Sequence, residues 1–274
     1  MRAARLSRAV AALLLSTGAA LAQPMGQPAD LAPVFERSVE RRLIVPEPEQ
    51  AHYAQLLARA LDAAGVRIEQ TQLAVLVDRS AVVQAVMVWW LAADGSAGLI
   101  GAAPTSTGRP SGFEHFETPL GVFEHTLDNP DFRAEGTVNE LGIRGYGDRG
   151  MRVFDFGWVM ARRGWAPGDQ PMRLQLHATD RVRFEPRLGR PASKGCIRVS
   201  AAFNDFIDRY GVLDAAYDEA LAAGRRFWVL RPDRVSTPWS GRWLVVVDSK
   251  RTSRPAWTLA TRLASASALG TVAC

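Results

Sequence analysis

Two residues in the second half of the chain have the types and the order that nucleophilic acyl chemistry needs. His177 begins the stretch His177-Ala178-Thr179-Asp180, and Cys196 lies in the later stretch Ser193-Lys194-Gly195-Cys196-Ile197-Arg198. A thiol attacks an acyl carbon as the thiolate, and a free cysteine with a pKa of ~8.5 supplies little thiolate at neutral pH. A neighbouring imidazolium shifts that balance and can later protonate the leaving amine.

The residues next to Cys196 favour the same chemistry. Gly195 lets the backbone take a positive φ or approach a substrate closely. Backbone N–H groups at such a turn can form an oxyanion hole, which contributes roughly 3–4 kcal/mol per donor in well-studied hydrolases. Lys194 and Arg198 add positive charge beside the sulfur. A lone cysteine is more often a small buried residue, so the combination, and not any single residue, favours a nucleophile.

The N-terminus has the three parts of a secretory signal peptide. Arg2, Arg5 and Arg8 precede a short apolar run, and the run ends in the small residues before Gln23. The apolar run is shorter than the roughly 20 residues that span a bilayer. We therefore predict a signal peptide over residues 1–22, export to the periplasm or cell envelope, and no stable membrane insertion.

Cysteine content and charge exclude several classes of protein. The second cysteine, Cys274, ends a tail of small and polar residues, so a structural disulfide to Cys196 is not expected. The full chain has 33 basic and 28 acidic residues, and the expected leader removes three of the arginines. No basic run with interleaved aromatic residues is present, which excludes a nucleic-acid partner.

A metal centre is also not expected. The mature chain offers four histidines and no H-x-x-x-H pair, which is too few ligands for a zinc hydrolase. These histidines are His52, His115, His125 and His177.

The first half of the chain predicts one amphipathic helix followed by strands. Residues 49–64 carry apolar side chains on one helical face, and Gly65 follows as a stop signal. Two apolar runs, 73–77 and 82–91, flank Asp78-Arg79-Ser80 and predict a hairpin. Further predicted elements are a helical patch at 34–43, a third strand at 99–103 and a loop-rich stretch from 105 to 123.

The second half of the chain predicts strands that alternate with two short helices. In the strand 172–179, Met172, Leu174 and Leu176 point one way, while Arg173, Gln175 and His177 point the other. The remaining predictions are strands at 152–159, 227–230 and 243–247, a helix at 201–210 capped by Ser200 and closed by Gly211, and a helix at 217–223 before Gly224.

In these motifs the sequence resembles the L,D-transpeptidase catalytic domain. That family combines a His-Gly-x segment with a Ser-x-Gly-Cys-x-Arg block, which correspond here to His177-Ala178-Thr179 and residues 193–198. Upstream, Ser106-Thr107-Gly108 and Thr118-Pro119-Leu120-Gly121-Val122-Phe123 resemble the family's S-T-G and T-P-x-G-x-F loops. The resemblance covers roughly residues 70–232.

The resemblance implies a fold and a domain organisation. The expected fold is mainly β with short helices (α+β), a β-sandwich with a helix after the catalytic cysteine. The expected organisation is a signal peptide (1–22), a Pro- and charge-rich segment with an amphipathic helix (23–69), a catalytic domain (70–232) and a C-terminal extension that is expected to be partly disordered (233–274).

The resemblance also implies a reaction. Cys196 would attack the diamino-acid carbonyl of a peptidoglycan tetrapeptide stem and release D-Ala, and an amine would take the acyl group in a 3→3 cross-link or an amino-acid exchange. His177 would be the general base and acid, oriented by the carbonyl of Ala178. Ser193 and Gly195 would shape the anion-binding turn, Arg198 would support the site or pair with a substrate carboxylate, and Lys194 would contact substrate. No cofactor or metal is implied, and the partners are peptidoglycan stem peptides.

Three features set this chain apart from the family pattern. Ala178 replaces the usual glycine, and Lys194 stands where the family often has histidine. Residues 128–170, rich in glycine and arginine, are longer than a minimal domain needs and form a candidate lid with Arg144, Tyr146 and Arg149 near substrate; a solvated loop is the alternative.

Asp180 is a candidate partner of His177, with a plain turn residue as the alternative.

Other functions remain open at this stage. An L,D-carboxypeptidase would pass through the same acyl-enzyme, and a wall-binding module would keep the fold with an inactive site. A sortase also has the order His, Cys, Arg, but its arginine lies far downstream of the cysteine, whereas Arg198 is two residues away. Papain-like hydrolases place the cysteine before the histidine.

Overall fold

The computed structural model describes residues 25–258 of the 274-residue chain. The expected signal peptide and Cys274 lie outside the described residues. The helices within this range are α1 (Leu31–Ser38), α2 (Glu47–Ala63), α3 (Ala201–Arg209) and α4 (Ala215–Ala222), with short 3-10 turns at Pro28–Asp30, Glu185–Arg187 and Ala256–Thr258.

The strands form two sheets. Their bounds are β1 (Gln72–Asp78), β2 (Ala85–Leu91), β3 (Ala97–Pro104), β4 (Gly121–Glu124), β5 (Phe132–Arg133), β6 (Arg152–Arg162), β7 (Asp169–Ala178), β8 (Ile197–Val199) and β9 (Trp243–Val247). One sheet has the order β3-β2-β1-β9-β4 and the other β5-β6-β7-β8. The pairs β1–β9 and β7–β8 are parallel, and the others are antiparallel.

The main hydrophobic core lies between the two sheets. It takes alternate residues from the inner face of each sheet, such as Val75 and Leu176, together with apolar residues of α1 and α3. Phe35 of α1 packs edge-on against Phe203 and Phe206 of α3, with ring centroids 6.0 and 5.0 Å apart. The fold class expected from the sequence, mixed sheets with short helices, is confirmed.

The other face of the five-stranded sheet is covered by α2. Its buried residues Tyr53, Leu57 and Leu61 recur at helical spacing and pack on that sheet. The Tyr53 hydroxyl donates to the Asp78 carboxylate at 2.7 Å, and the same carboxylate accepts the Ser80 N–H at 2.9 Å. One buried carboxylate therefore holds both the helix and the turn of the β1–β2 hairpin.

A cluster of buried charges lies near the start of β6. Arg152 is fully buried and pairs with Asp131 at 2.7 Å, Asp214 at 2.8 Å and Asp208 at 3.3 Å. His125 donates from Nε2 to Asp131 and from Nδ1 to the Leu213 carbonyl, each at 2.7 Å. Because both ring nitrogens donate, the imidazole is protonated, and Asp131 raises its pKa against the opposing effect of burial.

Most sequence-predicted elements lie where they were expected. The hairpin, the amphipathic helix and both C-terminal helices are confirmed within a few residues. Ser200 caps α3 by accepting the Phe203 N–H at 3.1 Å, and Gly211 ends the turn after the helix with φ +57. The helical patch expected at 34–43 begins earlier, as α1.

One expected strand is absent. Residues 227–230 form a turn and not a strand; Trp228 is 76% exposed, and only Val229 of the four is buried. The loop-rich stretch expected over 105–123 has no named strand or helix until it ends in the short strand β4, which pairs with β9. Strand β9 belongs to the segment assigned to the C-terminal extension, yet it lies between β1 and β4 inside the sheet.

None of the helices within residues 25–258 combines the length and the apolar character that a membrane span requires.

Candidate active site

The parallel pair β7–β8 brings His177 and Cys196 to one face of the four-stranded sheet. Leu176 pairs with Ile197 and His177 with Arg198, so Cys196 immediately precedes β8 at the level of Gln175. Met172, Leu174 and Leu176 lie in the core. Arg173, Gln175 and His177 lie on the opposite face, as the alternation in the sequence predicts.

The turn before Cys196 is held by Ser193. Its hydroxyl donates to the Cys196 carbonyl at 2.5 Å and accepts the Gly195 N–H at 3.0 Å. Gly195 has φ +136, and a Cβ there would lie 2.7 Å from the sulfur of Met172. The turn therefore requires glycine for both backbone conformation and space.

The two upstream motifs contact this turn directly. Ser106 exchanges two backbone hydrogen bonds with Arg198, at 3.0 and 2.9 Å. The Thr118 hydroxyl donates to the Gly195 carbonyl at 2.6 Å and accepts the Gly108 N–H at 2.8 Å. A Cβ on Gly108 would lie 1.9 Å from the Phe116 carbonyl oxygen. Motifs far apart in sequence thus form one hydrogen-bonded unit around Cys196.

Cys196 is a half-buried free thiol. Its Sγ lies 3.7 Å from the Arg173 carbonyl oxygen, to which the S–H donates. Burial raises the pKa of the thiol, while backbone groups of Gln175 and Cys196 and the charge of Arg198 lower it. The raising effect of burial prevails, so the thiol is protonated at rest.

His177 is buried and held as one tautomer. Its Nδ1 lies 2.6 Å from the Ala178 carbonyl oxygen, which can only accept, so Nδ1 carries the proton and Nε2 is left as a base. Burial, assisted by the nearby Arg198, lowers the pKa of His177 to about 4. The imidazolium that the sequence analysis invoked to favour the thiolate is therefore absent at rest near neutral pH.

Tyr146, from the candidate lid, lies directly over His177. The two rings pack edge-to-face with centroids 4.7 Å apart, and the Tyr146 hydroxyl donates to Gln175 Oε1 at 3.0 Å. Burial raises the pKa of Tyr146, and the charges of Cys196 and Asp155 raise it further. At least this part of residues 128–170 borders the candidate site.

A buried carboxylate organises the floor beside the thiol. Asp155 is fully buried and accepts from Arg173 Nε at 2.8 Å, Gln175 Nε2 at 2.7 Å and the Gly157 N–H at 2.9 Å. Gly157 has φ +76, at a register shift in the pairing of β6 with β7. This irregularity brings the Asp155 carboxylate under the two side chains of β7.

The two cations expected to contact substrate are both engaged elsewhere. The Lys194 ammonium pairs with Glu114 at 3.0 Å, and both side chains are exposed. Arg198 Nη1 donates to the Ala192 carbonyl at 3.2 Å, its guanidinium lies 5.1 Å from the centre of the Phe184 ring, and its Nε is buried without a partner among the described residues.

The remaining lid residues and Asp180 occupy other places. The Asp180 carboxylate accepts the N–H groups of Arg144, Val182 and Arg183 at 2.7–3.0 Å, so it holds its own turn and the segment of residues 128–170 around Arg144. His177 pairs instead with Ala178, as the family resemblance implies. Arg149 lines a cavity of about 410 Å³ with Trp228 and Asp208.

Sequence reasoning missed Asp155 and gave Gln175 no function. The alternation along β7 already put Gln175 on the face of His177, which was a usable signal. Asp155 belongs to a predicted strand, but no local pattern indicates that a register shift turns its carboxylate toward β7. Within residues 25–258, no three His, Cys, Asp or Glu side chains are grouped as metal ligands.

Comparisons with known proteins agree with the resemblance seen in the sequence. A family model of the L,D-transpeptidase catalytic domain (YkuD) matches residues 74–213. No curated protein sequence matches the chain.

Solved structures similar to the chain include the helical cell shape determining protein Pgp2 from Campylobacter jejuni, at 12% identity and a TM-score of 0.29, over 75% of this chain and 59% of that one. A mutant of that protein gives 14% identity and a TM-score of 0.29, over 74% and 58%. The chain thus spans less than two thirds of the length of these structures.

Proposed function

The chain belongs to the L,D-transpeptidase catalytic-domain family, and we propose that it is a cysteine acyltransferase of the cell wall. In this proposal Cys196 attacks the diamino-acid carbonyl of a peptidoglycan tetrapeptide stem, releases D-Ala, and transfers the acyl group to an amine. The expected site of action is the periplasm or cell envelope, which depends on export through the predicted signal peptide.

The observation that supports the proposal is the placement of a half-buried free thiol and a base of fixed tautomer on one face of the sheet. Cys196 and His177 lie on one sheet face, and Tyr146 borders both. The bond from His177 to Ala178 directs the basic Nε2 away from the backbone carbonyl. A purely structural histidine and cysteine would not need this arrangement beside a glycine turn.

The first half-reaction begins from a neutral thiol and a neutral imidazole. As Sγ forms a bond to the carbonyl carbon, the thiol proton moves to Nε2 of His177. The imidazolium then protonates the nitrogen of D-Ala as the C–N bond breaks, which leaves a thioester on Cys196 and neutral His177. In the second half-reaction an amine attacks the thioester and His177 accepts a proton from it; the C–S bond then breaks, and the imidazolium returns that proton to Sγ, which regenerates the neutral thiol and the neutral imidazole.

The oxyanion requires donors at the turn. The Gly195 N–H is already bound to Ser193 Oγ, so we assign Gly195 and Ser193 the role of shaping the turn. The backbone N–H of Cys196 lies close enough to its own sulfur to lower the pKa of the thiol. We propose this N–H as an oxyanion donor, because the oxyanion forms next to the attacking sulfur.

Acylation by a carbapenem tests the proposal. We expect intact-mass spectrometry to show one adduct on the mature protein and none on Cys196→Ala, while Cys274→Ala keeps the adduct. A wild-type protein that stays unmodified, or a Cys196→Ala protein that is modified equally, would contradict a catalytic role for this thiol.

Product analysis then identifies the reaction. Purified tetrapeptide muropeptides should yield D-Ala together with a 3→3 cross-linked dimer. Tripeptide without dimer would instead assign an L,D-carboxypeptidase, since water then resolves the same thioester. Neither product would assign a wall-binding module with an inactive site.

A further inference from the structure

Arg173 has its backbone next to Cys196 and its guanidinium held by a buried carboxylate. Its carbonyl oxygen lies 3.7 Å from Cys196 Sγ, and its Nε donates to the buried Asp155 at 2.8 Å. The side chain remains 44% exposed. Within residues 25–258, neither of its terminal nitrogens makes a hydrogen bond, and its ion pair is the one formed through Nε with Asp155. The edge that can bind a carboxylate in a bidentate manner is thus free and fixed in place.

The surroundings of Arg173 are open on one side. Trp158 is its cross-strand partner on β6, and Met160 pairs with Pro171 two residues further along. The indole of Trp158 is 68% exposed. Met172, between these positions on β7, is buried in the core, so the exposed residues share the outer face with Cys196. An extended ligand can therefore lie over Arg173 while its carbonyl faces the thiol.

Other cations near the thiol are less suited to an anion. Lys194 is exposed and forms a surface ion pair with Glu114, and Arg198 is stacked on Phe184 with Nη1 bound to a backbone carbonyl. Arg173 differs because its partner, Asp155, holds only Nε. Its terminal nitrogens can therefore gain hydrogen bonds without losing any.

We propose that Arg173 binds the C-terminal carboxylate of the residue that leaves the acyl donor. This inference rests on the proposed function. In a peptide the terminal carboxylate carbon lies only about 3 to 4 Å from the attacked carbonyl carbon, so its binding site must lie on the same sheet face as the nucleophile, as the Arg173 side chain does. Such a site restricts the enzyme to donors with a single residue after the scissile bond. Arg173 is thus a specificity-determining residue, in place of Arg198, to which the family resemblance assigns substrate contact.

The test compares two tetrapeptide stems that differ in one group, a free D-Ala carboxylate or a D-Ala carboxamide. We expect the wild type to prefer the free acid by about ten- to a hundredfold in kcat/KM, as a charge-assisted bidentate pair implies. Arg173→Gln should lose that preference, mainly through KM on the free acid, and should act on the carboxamide at the wild-type rate. Arg173→Lys should keep part of the preference for the free acid over the carboxamide.

Two controls separate the outcomes. Arg162→Gln removes an exposed arginine further along β6, paired with Asp169, and should leave the preference intact. Arg198→Gln should slow both substrates equally, because it raises the pKa of the thiol. If Arg173→Gln keeps the preference, or loses activity equally on both peptides, the inference is wrong. If the wild type releases neither D-Ala from the free acid nor D-alaninamide from the carboxamide, the proposed function fails and the inference fails with it.

Discussion

The hydroxyl of Thr118 donates a 2.6 Å hydrogen bond to the carbonyl oxygen of Gly195, the residue before Cys196. The same hydroxyl accepts the N–H of Gly108. Thr118 is buried, so neither backbone group can exchange this partner for bulk water. The upstream Thr-Pro motif therefore acts on the chemistry indirectly, by fixing the conformation of the turn that presents Cys196.

Replacing Thr118 by valine should destabilise the protein and slow acylation. Valine has nearly the same shape but leaves the Gly195 carbonyl and the Gly108 N–H unpaired, at a cost of about 1–3 kcal/mol. Urea unfolding would measure the loss, and the rate of carbapenem acylation would report on the turn. Thr118→Ser keeps the hydroxyl and should retain most of both. Equal behaviour of the two variants would show that the hydrogen bond does not matter.

In this chain the sequence predicts individual helices and strands better than it predicts which segments pack against each other. The β1–β2 hairpin and α2 have strong local signals, because apolar periodicity and turn residues agree. The stretch 227–230 contains the same kinds of residue but follows Gly224 and precedes Pro232, and it forms a turn with Trp228 exposed. Four apolar residues in a row do not distinguish a strand from an irregular segment.

The candidate site likewise contains residues that the sequence predicts and residues whose placement only the folded structure shows. His177, Cys196 and the glycine turn can be predicted from residue type and order. The acyl-transfer chemistry that they suggest can also be inferred without knowing which distant segments pack beside them. The sequence indicates Tyr146 as part of a candidate lid, but its contact with His177 and the position of Asp155 depend on tertiary structure, namely a loop that folds over His177 and a register shift that turns a carboxylate toward β7. Such contacts depend on how separate segments pack, and no local spacing encodes them.

The thiol of Cys196 should react slowly with a neutral alkylating agent at pH 7. Because burial raises its pKa, the rate of iodoacetamide alkylation should rise through a midpoint above that of free cysteine, about 8.5. A Cys274→Ala background leaves a single thiol to follow by mass spectrometry. Arg198→Gln should move the midpoint further up, since the guanidinium favours the thiolate. A midpoint below pH 7 would instead indicate a thiolate–imidazolium pair at rest.

Loss of Arg152 should destabilise the fold far more than loss of a surface arginine on the same strand. Arg152→Met leaves the carboxylates of Asp131, Asp208 and Asp214 without their shared cation, and breaking a buried pair costs about 3–5 kcal/mol. Arg162→Met removes only an exposed pair 3.8 Å long and should cost less than about 1 kcal/mol. Urea denaturation of both variants makes the comparison; similar midpoints would contradict it.

His177 should make the protein less stable on acidification. Its pKa is lowered to about 4 in the folded state, below the 6.5 of an unfolded chain. Between these values the unfolded state binds more protons, so the free energy of unfolding falls as the pH falls, by about 3 kcal/mol over the whole window.

Urea unfolding at pH 7, 5.5 and 4 should show this loss in the wild type and a smaller one in His177→Gln. His125 has the opposite sign, because its pKa is raised and its contribution is lost as the pH rises through that value. An unchanged pH slope in His177→Gln would show that the imidazole is not held neutral.

Gly147 should control the position of Tyr146 over the base. A Cβ on Gly147 would lie 2.8 Å from the Cβ of Ala178, and its φ of +83 is unfavourable for any other residue. Ala178 stands where the family usually has glycine, and its methyl group lies against Gly147. The methyl group fits there because residue 147 has no side chain. Gly147→Ala should therefore displace Tyr146 from His177 and slow acylation several-fold.

The paired change Gly147→Ala with Ala178→Gly removes the clash but keeps the strained φ at residue 147. It should restore part of the lost acylation rate. Tyr146→Phe serves as a second control, because it keeps the ring packing on His177 while losing the hydrogen bond to Gln175. If the double change is as slow as Gly147→Ala alone, backbone conformation at residue 147 rather than contact with Ala178 positions the lid.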